Sequence, residues 1–433
     1  MITLNFPNKR STGRLRRSLY SGTAVLAAAG AAFSFSQPAF AEPLPGGLGP
    51  CLGDDCPDDY PDDNHSGDII GHDENVNIYV GGDYDVRGRA AEAEGLIVTV
   101  GSFDQAKDGG GIYNVGVVGV GSRVPPPNGS PYLIVGEDLT VADTDQLLAE
   151  EGTESGQVLY GGTTSGTVTP EAINDPDAIN PYLDLRGELD IASECYANDG
   201  DLPRETTGTV SSEFGTVTFT GDGSSMLQVF ELNADNVDVQ NATIVYEDVP
   251  DGATVLINVV GETVDFNVAN ANAIQPWRET TLWNFPDATD ITFGGSGQYM
   301  GSVLIGEPDS TTTVSAPGMN GRFYSAGSLI HTGTAGTEFH NYPFDGDLPD
   351  CDEDGPTPSP SPSTPAPTTD GPDEPTDGPS DGPSDGPSDG PDGDETLPVT
   401  GTSGTALLAA FGGLAVVGAG IVWMTRRRLN ENH

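Results

Sequence analysis

A run of oxygen-bearing side chains between residues 62 and 73 has the spacing of a calcium-binding loop. Counted from the first residue, oxygen ligands stand at positions 1, 3 and 5, a glycine at position 6 and a carboxylate at position 12. The candidate ligands are Asp62, Asn64, Ser66, Asp68 and Asp73. The last ligand is Asp instead of the usual bidentate Glu, and no helical pattern flanks the run. A disordered acidic linker is therefore the alternative.

The N-terminus has the pattern of an export signal. Basic residues between Lys9 and Arg17 precede a small, apolar stretch from Thr23 to Phe35. Ala39-Phe40-Ala41 then matches a signal-peptidase site. We expect residues 1–41 to be removed by cleavage before Glu42, which makes the mature chain extracellular.

A short motif near the C-terminus precedes an apolar run and a basic tail. The motif consists of Leu397, Pro398, Val399, Thr400 and Gly401. No charged residue occurs from Ala406 to Met424, a length that can span a bilayer as a helix, and Arg426 to Arg428 would hold its end in the cytoplasm. The motif resembles the LPxTG substrates of sortases. That resemblance implies acyl transfer through Thr400 to the peptidoglycan of a Gram-positive cell wall; an ordinary membrane anchor is the alternative.

The composition is strongly acidic, with 66 acidic residues, 16 basic residues and a formal net charge of −50. Nucleic acids and anionic membrane surfaces are bound by clustered Lys and Arg, so both are excluded as partners. Lys107 is the only lysine after the predicted signal peptide. Because pilus shafts polymerise through a reactive lysine, this scarcity favours a monomer.

Composition also divides the mature chain into segments. Residues 350–396 have no aromatic residue and repeat Asp-Gly-Pro-Ser, so they cannot bury enough apolar surface to fold and are predicted to form a disordered stalk. Residues 42–74 form an acidic N-terminal segment. Residues 75–349 are long enough for one substantial core, and residues 397–433 hold the motif, the apolar run and the basic tail.

Residues 75–349 consist mainly of short β-branched runs that end in glycine, such as Val76 to Val80 before Gly81. These glycines recur about every 20 residues, which predicts a β-solenoid with one strand and one turn per unit. The strands of a β-sandwich would recur about every 8 to 12 residues. Between Asn180 and Ala197 apolar residues recur near helical spacing, which predicts one amphipathic helix packed along the solenoid. A long acidic loop is the alternative.

Four cysteines follow the export signal, and three pairings are possible. We expect Cys51 to pair with Cys56 as a short local loop. Cys195 would then pair with Cys351 and tie the predicted helix to the end of the solenoid. Since the chain contains no CxxC pair, a zinc site is disfavoured.

Several elements of the second half resemble the choice-of-anchor A family of bacterial surface proteins. They are Leu-Trp-Asn-Phe-Pro-Asp-Ala-Thr at 282–289, the strand at 301–305, Asn-Gly-Arg-Phe at 320–323 and the Phe-His-Asn-Tyr-Pro-Phe segment beginning at residue 339. The resemblance implies a right-handed β-helix with an adjoining helix, similar to ice-binding-like proteins, and an adhesin role. It brings no catalytic residues.

The residues of these elements have a structural interpretation. Buried core aromatics are expected at Trp283, Phe285, Phe339, Tyr342 and Phe344. His340 would share a strand face with Glu338 and Tyr342, which permits a metal or acid/base cluster, but a hydrogen-bonded structural histidine is the preferred interpretation. The sequence as a whole predicts a wall-anchored adhesin that binds a glycan or matrix protein. A carbohydrate-active β-helix enzyme and a structural coat protein are the alternatives.

Overall fold

The computed structural model describes residues 44–45, 48–234, 236–237 and 239–351. This part of the chain forms a β-solenoid whose three main sheets have 10, 11 and 7 strands, called here sheets 1, 2 and 3. The predicted signal peptide, the stalk beyond residue 351 and the apolar run at 406–424 lie outside the described residues. Among the helices that are described, none is long and apolar enough to cross a membrane.

Sheet 1 consists of two sets of strands that lie side by side. From the centre outward, the first set is Val76–Val80, Leu96–Thr99, Pro131–Val135, Gln157–Tyr160 and Ile173–Asn174. The second set, also from the centre, is Phe323–Ser325, Ser302–Ile305, Thr281–Phe285, Thr254–Val260 and Leu227–Asn233. The sheet is therefore continuous in space, but the order of its strands along the chain is broken at the centre. An N-terminal stack of rungs grows one way, and a C-terminal stack returns to meet it.

Sheets 2 and 3 follow the same order. In sheet 2 the N-terminal stack supplies Tyr84–Val86, Phe103–Gln105, Leu139–Val141 and Thr164–Ser165. The C-terminal stack supplies Ser328–His331, Thr311–Val314, Asp290–Gly295, Thr263–Asn270, Ala242–Glu247, Thr216–Thr220 and Thr209–Glu213. Sheet 3 contains Glu92–Glu94, Gly111–Gly116, Asp145–Leu148 and Thr167–Thr169 from the first stack, and Glu338–His340, Gly318–Asn320 and Tyr299–Met300 from the second. Two small hairpins complete the strands, Glu150–Glu151 with Glu154–Ser155 and Asn198–Asp199 with Leu202–Pro203.

The two stacks join where the first rung meets the last. At this joint Ile78 pairs with Phe323 in sheet 1, and Tyr84 pairs with Leu329 in sheet 2. In sheet 3 Glu92 pairs with Glu338. All three pairings are parallel, so the joint continues the ladder as if one chain had coiled through it. The predicted β-solenoid is confirmed, with a break in chain order that the glycine spacing did not show.

One long helix connects the two stacks along the chain and packs on the C-terminal stack. A 3₁₀ turn at Asn180–Tyr182 leads into the α-helix Leu185–Ala197, called α1. The predicted helix alongside the solenoid is thus confirmed, although its first turn is 3₁₀, as is frequent at helix N-termini. Apolar residues Leu185, Leu189, Ala192 and Tyr196 are buried against the outer face of sheet 1.

Strand burial reflects what covers each sheet. Sheet 1 strands such as Val76–Val80 are buried on both faces, because one face lines the solenoid interior and the other lies under α1 and both ends of the described chain. Leu44 and Leu48 from the N-terminal side and Phe344 and Leu348 from the C-terminal side belong to this outer layer. Sheet 2 strands such as Thr216–Thr220 instead alternate buried and partly exposed residues, as expected for a sheet with one solvated face.

Both disulfides have the pairing expected from the sequence. Cys51 joins Cys56 near the beginning of the described chain. Cys195, on α1, joins Cys351, where the described chain ends. The second bond ties α1 to the segment that leads toward the predicted stalk.

Candidate functional site

An acidic cleft of about 700 Å³ opens where three separate segments meet. Its walls are residues 57–62 of the acidic N-terminal segment, the 3₁₀ helix Asn272–Thr280 and residues 343–345 near the end of the fold. Five acidic residues line it, namely Asp58, Asp59, Asp62, Glu279 and Asp345. Four prolines, Tyr60 and Arg278 complete much of the lining; the prolines are Pro50, Pro57, Pro276 and Pro343.

The N-terminal wall of the cleft is held in place by local and long-range contacts. The Cys51–Cys56 bond closes a small loop before it. Asp73, after it, accepts hydrogen bonds through Oδ1 from the backbone N–H of Leu52 at 3.0 Å and of Asn75 at 2.9 Å. The segment is thereby fixed on both sides. The alternative of a disordered linker does not describe this part of the chain, which packs on the solenoid.

Arg278 is the central residue of the cleft. It is 3% exposed, and its terminal nitrogens donate to the backbone carbonyls of Asp62 and Pro61, each at 3.1 Å. One of them also lies 2.9 Å from Oε1 of Glu279. The guanidinium carbon lies 3.4 Å from the ring centroid of Tyr342, in cation–π contact. The guanidinium therefore fastens the N-terminal wall to the solenoid.

One donor of Arg278 is left over. Its Nε is buried and has no hydrogen-bond partner among the described residues. The hydroxyl of Tyr60, which lines the same cleft, is likewise buried without a partner there. Both atoms are enclosed by protein, and other buried polar atoms of the described chain also lack partners, for example in Asn77 and Tyr132.

Amide side chains line a second cavity of about 380 Å³, on the other side of Arg278. They are Asn64, Asn270, Asn272, Gln298 and Asn320. Several of these amides already bond to one another: Nδ2 of Asn64 donates to Asn320 at 2.8 Å and to Gln298 at 3.1 Å. More of the polar side chains of this cavity therefore hydrogen-bond to one another than in the acidic cleft.

Burial raises the pKa of two cleft residues. Burial raises the pKa of Asp345, and the nearby carboxylate of Glu279 raises it further. Burial also raises the pKa of the Tyr60 hydroxyl far above its ordinary value, with the charge of Asp73 adding to the effect. Tyr60 therefore remains a neutral hydroxyl that can donate a hydrogen bond at physiological pH.

A fully buried ion pair lies among the elements that meet at the cleft. The guanidinium of Arg322 is 2.7 Å from Oδ2 of Asp73 and 2.5 Å from the side-chain oxygen of Asn341. Its Nε donates to the carbonyl of Gly49 at 2.9 Å. These contacts join the N-terminal segment to the last rungs. Their role is structural, since none of the four groups lines the cleft.

The structure distributes the candidate calcium ligands among different partners. Asp62 lines the cleft, and the side-chain oxygen of Asn64 accepts a hydrogen bond from the Tyr342 hydroxyl at 2.7 Å. Asp73 is committed to Arg322, while Ser66 and Asp68 are exposed. Within the described ranges no three His, Cys, Asp or Glu residues are grouped so as to hold a metal ion. Calcium binding stays a prediction from the sequence.

The strand Glu338–His340 buries His340, but the expected hydrogen bond is absent: neither ring nitrogen has a hydrogen-bond partner among the described residues. Nε2 of His340 lies 3.3 Å from Oε2 of Glu338, and the ring is 1% exposed. Burial lowers the pKa of His340 to about 3, and the charge of Arg278 lowers it in the same direction. Burial raises the pKa of Glu338 to about 7, with a further contribution from Glu92. A neutral, buried imidazole cannot serve as a solvent-facing acid or base.

The remaining predicted residues divide into two groups. All five signature aromatics are buried, as expected for core residues: Trp283, Phe285, Phe339, Tyr342 and Phe344. The sortase recognition residues from Leu397 to Gly401 lie outside the described residues. Arg278, Tyr60 and Asp345 were not predicted as site residues, because no spacing pattern in the sequence connects three segments so far apart.

Comparison with known families identifies both the solenoid domain and the C-terminal anchor. Residues 71–341 match the sequence model of an ice-binding-like adhesive domain. The chain belongs to this family. Residues 391–431 match the LPXTG cell wall anchor motif of Gram-positive bacteria. The choice-of-anchor A resemblance is confirmed, and this adhesive-domain protein is a cell-wall-anchored surface protein whose anchor implies linkage by sortase to peptidoglycan.

Solved structures similar to this adhesive-domain protein include three ice-binding proteins. One, from an Antarctic biological consortium, is 12% identical over 61% of this chain and 88% of its own, with a TM-score of 0.30. The glycosylated LeIBP of an Arctic yeast is 14% identical over 60% and 91%, with a TM-score of 0.24. A Shewanella frigidimarina ice-binding protein domain is 13% identical over 66% and 100%, with a TM-score of 0.22. No curated protein matches the chain.

Proposed function

We propose that this protein is an adhesin: a monomeric head that binds an extracellular ligand of a host, a matrix or a neighbouring cell, without turning it over. The observation that carries the proposal is the cleft of about 700 Å³ on an adhesive-family head whose chain carries a wall anchor. A head fixed to the wall through its C-terminus can present such a cleft to the surroundings.

The covalent anchor favours binding over a diffusible activity. Many copies on one wall act together, and multivalent attachment can raise avidity by about 10² to 10⁴ over one weak site. A modest affinity at each cleft is therefore sufficient for adhesion. This argument supports an adhesin over a wall-bound enzyme, which gains nothing from simultaneous engagement.

The test uses the secreted chain, residues 42–400, on arrays of glycans and extracellular matrix proteins. We expect saturable binding to a restricted set of ligands, with at least a tenfold weaker signal, on the order of 1.4 kcal/mol, when the cleft is altered. Polysaccharide turnover would favour the carbohydrate-active enzyme. Silence on both arrays and in turnover assays would favour the structural coat.

Calcium is tested in the same experiment. Arrays run with calcium and with a chelator separate a cation-dependent ligand from a cation-independent one. Thermal unfolding with added calcium tests the predicted loop directly. A stabilisation that disappears on Asp62→Ala would support calcium at this loop, and an unchanged wild-type transition would contradict it.

A further inference from the structure

We propose that the amide-lined cavity beside the acidic cleft binds a neutral sugar ring through neighbouring hydroxyl groups, which rests on the proposed adhesin function and names its ligand class. This amide cavity, of about 380 Å³, is lined mainly by three segments, around residues 62–64, 269–272 and 296–300. Asp62 and Arg278 line both the amide cavity and the acidic cleft, so the two adjoin. A saccharide longer than one ring can extend from the first into the second.

The orientation of the Gln298 side chain is fixed by its neighbours. Nδ2 of Asn320 donates to the backbone carbonyl of Tyr299 at 2.8 Å, and a carbonyl accepts only from the nitrogen of an amide. The same Nδ2 donates to Oε1 of Gln298 at 3.1 Å. Nδ2 of Asn64 donates to that oxygen as well, also at 3.1 Å. The hydrogen-bond network therefore settles which end of the Gln298 amide is oxygen.

The consequence is an oriented donor on the cavity wall. Nε2 of Gln298 makes no hydrogen bond within the described part of the chain, and its side chain is half-buried where it lines the cavity. Turning the amide over would place Nε2 against the two Nδ2 donors of Asn64 and Asn320. The two protons of Nε2 are thus available to a ligand, and a donor that is already held in place loses little conformational freedom on binding.

Other groups of the amide cavity complement this donor. Asp62 and Asp63 supply exposed carboxylates, and Asn270 and Asn272 supply exposed amides. A hydroxyl both donates and accepts, so two neighbouring hydroxyls of a sugar match an amide that donates and a carboxylate that accepts. Met300, which also lines the cavity, adds apolar surface for the C–H groups of the ring. A concave site with a few such polar groups is typical of small-ligand binding.

Ionic ligands fit the amide cavity less well. The N–H groups of Gln298 Nε2 direct partial positive charge at a bound group, which disfavours a metal ion. Within the described ranges no three His, Cys, Asp or Glu residues are grouped so as to hold such an ion. Asp62 and Asp63 repel anions, including the acidic sugars of cell surfaces. A neutral sugar avoids both conflicts.

The test measures binding of the secreted chain, residues 42–400, to an array of neutral oligosaccharides that end in galactose, glucose or mannose. Sialylated forms of the same oligosaccharides are the ligand control. We expect saturable binding of at least one neutral oligosaccharide, with an at least tenfold weaker signal for its sialylated form. A calcium chelator should leave this binding unchanged.

Gln298→Glu tests the oriented donor by changing one group. Glutamate keeps the oxygen that accepts from Asn64 and Asn320 but replaces the NH₂ donor by an acceptor, so Kd for the sugar should rise about tenfold. The control Gln157→Glu makes the same change at an exposed position outside the cavity and should alter Kd less than about twofold. Asn272→Ala shortens an exposed lining side chain and should weaken binding about threefold. It decides the outcome if thermal unfolding shows that Gln298→Glu does not fold.

Four results would count against the proposal in different ways. Equal losses in Gln298→Glu and Gln157→Glu would overturn it by reducing the effect to added charge, and unchanged affinity in Gln298→Glu and Asn272→Ala would place the sugar elsewhere. Loss of sugar binding in the chelator would assign the hydroxyls to a calcium ion instead. Binding of matrix proteins with no neutral sugar would overturn the ligand class and leave the adhesin function intact. Silence of every glycan and matrix protein would contradict the adhesin function itself.

Discussion

The N-terminal and C-terminal stacks share one solenoid but differ in strand length and in the number of aromatic contacts in their interiors. In the N-terminal stack, glycines at the corners between sheets 1 and 2 lie directly against the backbone of the next rung. A Cβ on Gly136 would lie 2.1 Å from the Val100 carbonyl oxygen, and one on Gly161 would lie 2.2 Å from the Gly136 carbonyl oxygen. In the C-terminal stack the interior is filled by aromatic rings. Phe266 has ring centroids of Trp283 and Tyr299 at 5.2 and 5.5 Å.

The difference shows two ways to stack parallel coils. Glycine corners also occur in the C-terminal stack, where a Cβ on Gly327 would lie 2.2 Å from the Ser310 carbonyl oxygen. The N-terminal interior holds rings too, with the centroids of Tyr84 and Phe103 5.2 Å apart, so the two stacks differ in degree. The C-terminal rungs have longer strands, such as Thr263–Asn270, and their interior takes large side chains. The stacks should consequently respond differently to substitution at corners and in the interior.

The largest effect is expected at an N-terminal corner. Gly136→Val places a side chain where a Cβ alone is 2.1 Å from backbone, so the free energy of unfolding should fall by more than about 4 kcal/mol. Gly187→Ala is the control, because that helical position has open space and should change by less than about 1 kcal/mol. Urea unfolding measures both. A tolerated Gly136→Val would remove the backbone-stacking half of the comparison.

A somewhat smaller loss is expected in the C-terminal interior. Phe266→Ala removes a fully buried ring between other rings and should lower the free energy of unfolding by about 3 to 5 kcal/mol. The control, Phe214→Ala, alters a fully exposed ring and should have almost no effect. Chemical denaturation of the two variants gives the difference. Equal values for both would show that ring packing does not stabilise this stack.

The bond that ties α1 to the end of the C-terminal stack ranks next. Cys195→Ala with Cys351→Ala opens a covalent loop of sequence separation 156 and should cost about 2 to 5 kcal/mol. The matched variant, Cys51→Ala with Cys56→Ala, opens a loop of separation 5 and should cost less, because a short loop restricts the unfolded chain less. Denaturant titrations rank the two. The reverse order would show that strain or local packing outweighs loop entropy.

The smallest effect concerns the joint between the stacks. Burial and the facing Glu92 raise the pKa of Glu338 to about 7, above its ordinary value of 4.5. The native state therefore binds more protons than the unfolded state between these values, and stability should fall as pH rises from about 4.5 to 7. Glu338→Gln should remove about 1 to 2 kcal/mol of this dependence, with partial exposure limiting the size.

Thermal unfolding across the pH range checks the last prediction. Glu247→Gln, at an exposed position, serves as the control and should preserve the wild-type slope. A Glu338→Gln profile parallel to the wild-type profile would show that this carboxyl does not titrate near pH 7 in the folded protein.

The sequence by itself determined the features that depend on near neighbours. The glycine spacing indicated the solenoid because each corner needs a residue without a side chain, and the apolar spacing from Asn180 to Ala197 indicated α1. The LPXTG motif indicated the anchor, and export with four cysteines limited the disulfides to a few pairings. The solenoid, the helix and the anchor are each encoded by residues close together in the chain. The disulfides are limited because cysteines are few.

Only the tertiary structure decided how the ends of the chain meet. Asp73 contacts Arg322 across 249 positions, and Asn64 contacts Tyr342 across 278. These contacts exist because α1 carries the chain along the second stack toward its far end, so that the rungs of that stack return to the first rung. They order the acidic N-terminal segment, commit Asp73 to an ion pair and assemble the cleft around Arg278. Local periodicity contains no information on such long-range pairings. Several residues could have paired with Asp73 or Asn64 on chemical grounds, and only the fold determines which of them lies close enough.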